Sequence, residues 1–362
     1  MHLPSFLQRC ASALAFGSLL LFTACDPDNE PDPVSEGRFT NVYVVNEGAY
    51  GTPNGSVSLY DKVSGKITSL NVFKAANGRE MLADVAQSMT IAGDRGYIVA
   101  NNNSKIVVVS LPDFKSVDTI KSTLSQPRYL VAASTDKAYV SEWIQVPYPS
   151  AVAGRVAVVD LKTNKVTKTV AVGRLPEEML LVNGHLFVTN SGDNTVTVIN
   201  TSTDAVETTL TVGANPASLV QGSDGRVWVL SNGDTDYTTP ANSTKGSVSD
   251  FAPTAPYTVR RRDLNFTAGY GSRIRRNAKG TVFYLKTAEG VFRMAPTDAS
   301  LPVTPFLKRN FYGLDVDPDS DVIYTGVALS YNGPGRMVTY QTGGLPLDSA
   351  EVGILPNGFA FY

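Results

Sequence analysis

The sequence predicts an all-β chain folded as a seven-bladed β-propeller of four-stranded antiparallel blades, and three observations carry that prediction. From Asn41 onward, Val, Ile, Thr and Tyr alternate with polar residues between clusters of Gly, Asn, Asp and Pro, the period-two pattern of half-buried strands. An apolar or aromatic start recurs seven times: VYVVNEG at Val42, YIVANNN at Tyr97, AYVSEW at Ala138, LFVTNSG at Leu186, VWVLSNG at Val227, VFYLKTA at Val282 and VIYTGVA at Val322. The intervals are 40 to 55 residues, the length of a propeller blade. A second set also counts to seven. QSMTIAG, PRYLVAA, PEEMLLV, PASLVQG, GSRIRRN, FYGLDVD and PNGFAFY read as the inner strands. No stretch holds a helical period; the nearest, Arg79 to Val85, is short.

Taken in chain order, the first element is a leader. Ala11 to Phe22 is an apolar run of 12 residues, too short to span a bilayer. Leu21-Phe22-Thr23-Ala24-Cys25 resembles the lipobox of bacterial lipoproteins, with Phe22 where leucine is commoner. That resemblance implies a signal peptide over residues 1–24 and lipidation of Cys25. Cys10 would then leave with the leader, so no disulfide is expected and a core must supply the stability. Residues 25–38 contain DPDNEPDPVSEG, acidic, proline-rich and nearly free of apolar residues, the composition of a disordered tether. The acidic tract after the cysteine is similar to the surface-export signals of Bacteroidetes lipoproteins. Residues 39–362 form the propeller. At 43% hydrophobic the chain can fill its core, and with 30 basic against 33 acidic side chains after Cys25 it is nearly neutral, which argues against nucleic acid.

Each blade begins with its inner strand except the first, which starts at VYVVNEG. The last seven residues, Pro356 to Tyr362, therefore complete the first blade and close the ring, which removes an exposed sheet edge. The unit FVTNSGDNTVTVINTSTDAV in blade four, and GRVAVVDLKTNKVTKTVAVG in blade three, resemble the YVTN-type propeller repeat; blades five and six match it less well. The ending GILPNGFAFY, the lipobox-like segment and the acidic tether are similar to those of surface propeller lipoproteins of Bacteroidetes. Some of those proteins capture cobalamin for an outer-membrane transporter. The resemblance implies a monomeric, lipid-anchored capture protein at the cell surface. Its ligand would be cobalamin or another large polar molecule, and its partner a TonB-dependent transporter. It implies no catalytic residue, no metal and no cofactor.

The loops joining second to third strands are unequal: NEGAYGTPNG in blade one, EWIQVPYPSAVAGR in blade three, SNGDTDYTTPANSTKGS in blade five and ALSYNGPG in blade seven, against tight turns in blades four and six. Long loops in a compact domain are usually functional or disordered. They share a face with the starts of the inner strands, and that face is where propellers take ligands. Candidate contacts are the aromatics Tyr50, Trp143, Tyr148, Tyr237, Tyr312 and Tyr331, the amides Asn46, Asn102, Asn190, Asn232 and Asn332, and the inner-strand charges Arg128, Arg174, Glu177 and Arg273. An amide-fringed corrin with one phosphate would suit that set, as would an oligosaccharide.

Other features read as structural. His185, the only histidine past Cys25, lies in a turn of the opposite face, so histidine-based catalysis and zinc are poorly supplied. DVDPDSD, Asp315 to Asp321, departs from a calcium loop at Ser320 and Gly326 and reads as a hairpin turn. Glu177 and its neighbour Glu178 should point to opposite faces of their strand, leaving one for ligand contact. Arg260, Arg261 and Arg262, with Arg273, Arg275 and Arg276, lack the interleaved aromatics of a nucleic-acid surface and read as a local anion or partner contact. Glycan or protein binding on the same face, and a propeller lyase or lactonase, are the alternative functions.

Overall fold

The computed structural model describes residues 39–144 and 152–362. The proposed leader, Cys25, the tether and Tyr148 lie outside the described residues.

Seven antiparallel sheets are arranged in a ring. Blade one holds the strands Asn41–Asn46, Ser56–Asp61 and Lys66–Ser69 together with Pro356–Phe361 as its inner strand. The closure pairs Val42 with Phe361, Tyr43 with Ala360 and Val44 with Phe359, as expected from the chain order. The Tyr362 carbonyl adds hydrogen bonds from the Thr40 and Asn41 amides at 3.0 and 2.7 Å. The other inner strands are Ala86–Ala92, Pro127–Ala132, Pro176–Val182, Pro216–Gln221, Arg273–Arg276 and Gly313–Val316, in blades two to seven. Each inner strand packs beside the next around the axis, and Pro356–Phe361 completes the circuit against Ala86–Ala92.

The core is divided like the ring. Seven hydrophobic clusters each fill one blade–blade interface. Tyr43, Val45, Ile98 and Val107 lie between blades one and two, and Tyr324, Met337, Val44 and Phe359 between blades seven and one. These are alternate residues of the strands, which is why period-two patterning runs through every blade.

Two details differ from expectation. Blade six has three strands, Arg273–Arg276, Phe283–Thr287 and Gly290–Met294, and the fourth position holds only a bridge between Val291 and Leu307. Pro296, Pro302 and Pro305 interrupt the segment that should have formed it, and proline cannot donate to a ladder. Among the described residues the one α-helix is Val72–Ala76, capped by the Asn71 side chain, which accepts from the Lys74 amide at 2.9 Å; Arg79 to Val85 is irregular.

The inner strands start in a shared way that positions the site. Val85, Gln126, Leu175, Asn215 and Leu355 each directly precede an inner strand and each adopts a positive φ, between 38° and 56°. Immediately after them, in blades two, three, four, five and one, the pairing with the second strand slips by a residue. Such a bulge breaks the alternation of side chains. Two neighbouring residues then face the axis where a regular strand would offer one.

Candidate ligand-binding channel

The axis of the ring opens on the loop face into a cavity of ≈ 310 Å³. The bulges bring Gln87, Arg128, Tyr129, Glu177, Glu178, Ala217 and Asn357 to it. A second, deeper cavity of ≈ 200 Å³ continues along the axis and shares Gln87, Tyr129, Glu178 and Arg273, which form the neck between the two.

Glu177 and Glu178 both face the channel, contrary to the expectation that only one would. The pairing slips between Pro176 and Met179, and that slip aims both inward. Each carboxylate meets its own arginine. Arg128 grips Glu177 through two nitrogens at 3.0 and 3.2 Å, donates to the Gln87 side chain, and stacks on the Trp143 ring at 4.2 Å. Arg275 donates to both oxygens of Glu178 at 2.8 and 3.0 Å and to Asp315. Burial alone would raise the Glu178 carboxyl, but the Arg275 guanidinium overrides it and holds Glu178 below the usual carboxylate range.

Two cations lack such a partner. Arg273 donates to the backbone and side-chain oxygens of Asn357, and its nearest carboxylate, Glu178, stands 3.9 Å away. Lys286 donates to the Gly271 carbonyl at 2.7 Å. Its ammonium is pushed down to about 7, first by burial and then by Arg273 and Arg275, with Glu47 opposing. Across the cavity, burial pushes the Glu47 carboxyl up, partly offset by the Tyr312 hydroxyl that donates to it.

The Lys286 shift has a consequence for stability. Its folded value lies below the unfolded 10.5, so the unfolded chain binds more protons between about pH 7 and 10.5 and stability rises with pH across that window. Lys286→Met is therefore expected to raise the melting temperature most at pH 6, and the gain should shrink by pH 9. Thermal melts at the two pH values read this directly, and an equal gain at both would contradict it.

Of the residues anticipated from sequence, Arg128, Glu177, Asn232, Arg273, Tyr312 and Tyr331 line the cavity. Trp143 supports it from behind, stacked on Arg128 and donating to the Pro176 carbonyl at 3.2 Å. Asn46 and Asn190 do not contact it. Both are fully buried; Asn46 donates to Ser56 and Ser58, Asn190 to Thr195 and Thr197. They tie the second strand to the third inside a blade, and glycines 353 and 173 let the backbone pass against them, since a Cβ there would lie 2.7 and 2.6 Å from the amide groups. Asn102 donates to Asp84, and Arg174 pairs with Asp193 at 2.7 Å, outside the cavity wall. Tyr50, Tyr237 and Asn332 project from the loops without lining it.

Tyr270, Lys286, Glu47, Tyr129, Gln87 and Asn357 were not anticipated. Gln87, Tyr129 and Asn357 could have been found, because they stand within the same two-residue window after the strand start as Arg128 and Glu177. The basic triplet is dispersed: Arg260 pairs with Asp250, Arg261 with Asp263, and Arg262 lies over the Trp228 ring at 5.1 Å. His185 pairs with Glu207 at 2.9 Å and does not line either axial cavity. Asp317 is held by Lys62 at 2.6 Å and accepts from the Asp319 amide and the Ser320 hydroxyl, as a turn requires. Among the described residues no group of His, Cys, Asp and Glu is placed to hold a metal.

Fold and site together define the class: a closed seven-bladed β-propeller with a charged axial cavity on its loop face. Residues 40–270 match the family model described as "Domain of unknown function (DUF5074)", and the chain belongs to that family. It is similar in structure to a quinonprotein alcohol dehydrogenase-like protein from Bacteroides thetaiotaomicron VPI-5482, with a TM-score of 0.66 at 13% identity over 90% of this chain and 79% of that one. It is similar also to the hydrazine synthase of Kuenenia stuttgartiensis, with a TM-score of 0.61 at 13% identity over 83% and 96% of the two chains. A functionally unknown protein from Desulfotomaculum acetoxidans DSM 771 gives 0.61 at 13% identity over 89% and 98%. These likenesses are of fold alone. No curated protein matches the sequence.

Proposed function

We propose that the protein is a non-catalytic capture propeller that seats a polar ligand on the channel mouth, with cobalamin as that ligand. The observation that carries the reading is the mouth itself. Tyr270 and Tyr331, 85% and 76% exposed, stand over a rigid, hydrogen-bonded cavity, and nothing in the core requires them there. Aromatics poised on a preorganised ring lose little entropy when a ligand covers them. A cavity of ≈ 310 Å³ is at the small end of ligand sites, so a corrin would lie across the mouth with one polar arm reaching inward. The lipobox-like segment and the acidic tether support display at the outer membrane, where a TonB-dependent transporter would take the cargo. Among the described residues no helix is long and apolar enough to cross a membrane.

Calorimetric titration with cyanocobalamin tests the reading. One-to-one binding is expected, weakened about tenfold or more by Tyr270→Ala with Tyr331→Ala. No heat at micromolar protein would remove cobalamin as the ligand. A second reading, an acid–base enzyme, is favoured by Glu47 and Lys286, whose proton affinities are pushed toward each other at one cavity. Acid release from aldonolactones in the same sample separates it from capture.

A further inference from the structure

We propose that Arg273 and Lys286 form a cradle for the oxyanion group, carboxylate or phosphate, of the ligand that enters the channel. The inference rests on the reading of the mouth as a ligand site and adds the chemical class of the group it receives.

Lys286 is the one cation at its repeat position. It is the penultimate residue of the second strand of blade six, where blades one, two and four carry Asn46, Asn101 and Asn190 and blades three, five and seven carry Glu142, Ser231 and Gly326. Asn46 and Asn190 spend their amide donors on third-strand hydroxyls. Blade six has no such hydroxyl opposite: Lys286 pairs in register with Val291 on one side and with Arg273 on the other. The side chain is 5% exposed and makes one hydrogen bond, to Gly271, although an ammonium has three donors. Among the described residues no carboxylate lies within ion-pair distance of it.

Its neighbour Arg273 is 7% exposed and likewise turns to neutral oxygens. Arg128 and Arg275 differ from this pair. Those two guanidiniums are gripped by Glu177, and by Glu178 with Asp315, whereas Arg273 reaches only a Glu178 oxygen already held by Arg275, at 3.9 Å, and Lys286, beside it on the same blade, has no carboxylate within ion-pair distance. Two adjacent buried cations so weakly compensated repel each other, and a ligand oxyanion between them would relieve that repulsion and form charge-assisted hydrogen bonds. The groups facing Lys286 are Arg273 and Arg275 from its own blade and Glu47 from blade one, with the Tyr312 hydroxyl held on Glu47.

Binding an oxyanion should therefore draw a proton onto Lys286 above neutral pH. The test is calorimetry at pH 8 with inorganic phosphate and D-glucuronate, D-glucose serving as the neutral control, in buffers of different ionisation heat. The expected result is that the two anions bind and glucose does not. Their apparent heat should change with the buffer by an amount corresponding to proton uptake. Lys286→Met, checked for folding by its melt, should lose about tenfold or more in affinity together with the buffer dependence, and Lys286→Arg should recover the affinity. Anions binding no better than glucose, or equally well to Lys286→Met, would overturn the cradle.

A separate pair of titrations locates the source of the oxyanion. Cyanocobalamin binding more tightly than cobinamide, which lacks the nucleotide phosphate, with the difference abolished by Lys286→Met, places the corrinoid phosphate in the cradle. If neither corrinoid binds while phosphate or glucuronate does, cobalamin fails and the cradle stands for a smaller acid.

Discussion

Removing Gly358 to Tyr362 is expected to unfold the whole ring. The strand Pro356–Phe361 supplies the entire inner edge of blade one, and the deletion strips the ladder from Val42 to Val45. It also takes Ala360 from the cluster between blades one and two and Phe359 from the cluster between blades seven and one, so two interfaces are breached together. The hydrogen bond from the Phe359 amide to Asp315 disappears as well. Burial of one large aromatic alone is worth about 3–5 kcal/mol on truncation, and a domain is stable by only about 5–15 kcal/mol. Urea unfolding followed by tryptophan fluorescence reads the outcome at a distance, since Trp143 and Trp228 sit in blades three and five. Loss of the folded baseline at both is expected. An unchanged midpoint would mean that closure contributes nothing.

The second large effect is expected at Arg275. Its guanidinium joins Glu178 of blade four to Asp315 of blade seven through the axis. Arg275→Leu leaves those two carboxylates in the channel without their cation, a change that typically costs about 3–5 kcal/mol, or a fall in melting temperature on the order of 5 °C or more. The pH dependence should invert. In the native chain the depressed Glu178 carboxyl contributes stability above its unfolded value of 4.5 and loses it as pH falls through the folded value. In the variant, acidification should recover stability, because protonation removes the uncompensated charge. Melts at pH 7 and pH 4.5 check the sign: a deficit that grows on acidification would show that the arginine's charge is not what matters.

Much of the frame was legible in the sequence. Blade count, inner strands and closure follow from period-two patterning and glycine or proline punctuation, which sterics and burial enforce in every blade. The interior of the channel was harder to read. Asn46 and Asn190 look like free amides on a loop face, yet each is consumed inside its own blade, a pairing visible only once register is known. Glu177 and Glu178 were separated by the rule of alternation, and a bulge set by the left-handed Leu175 overrides that rule. Lys286 hides at a position that three of the other six blades give to asparagine. Its chemistry comes from what is missing opposite it, and a single strand's sequence does not display that.

The five bulged strand starts bear on how such a ring can evolve. Gln87, Ser88, Arg128, Tyr129, Glu177, Glu178, Ala217, Asn357 and Gly358 line the two axial cavities, and none of them belongs to the hydrophobic clusters between blades. Ligand preference and the packing of the blade interfaces are therefore written largely in separate letters of the same strands, Glu178 with its Arg275 link excepted. A lineage could rewrite the floor two residues at a time while its interfaces stay under purifying selection. Only mutually dependent letters, such as Arg128 with Glu177, would have to change together.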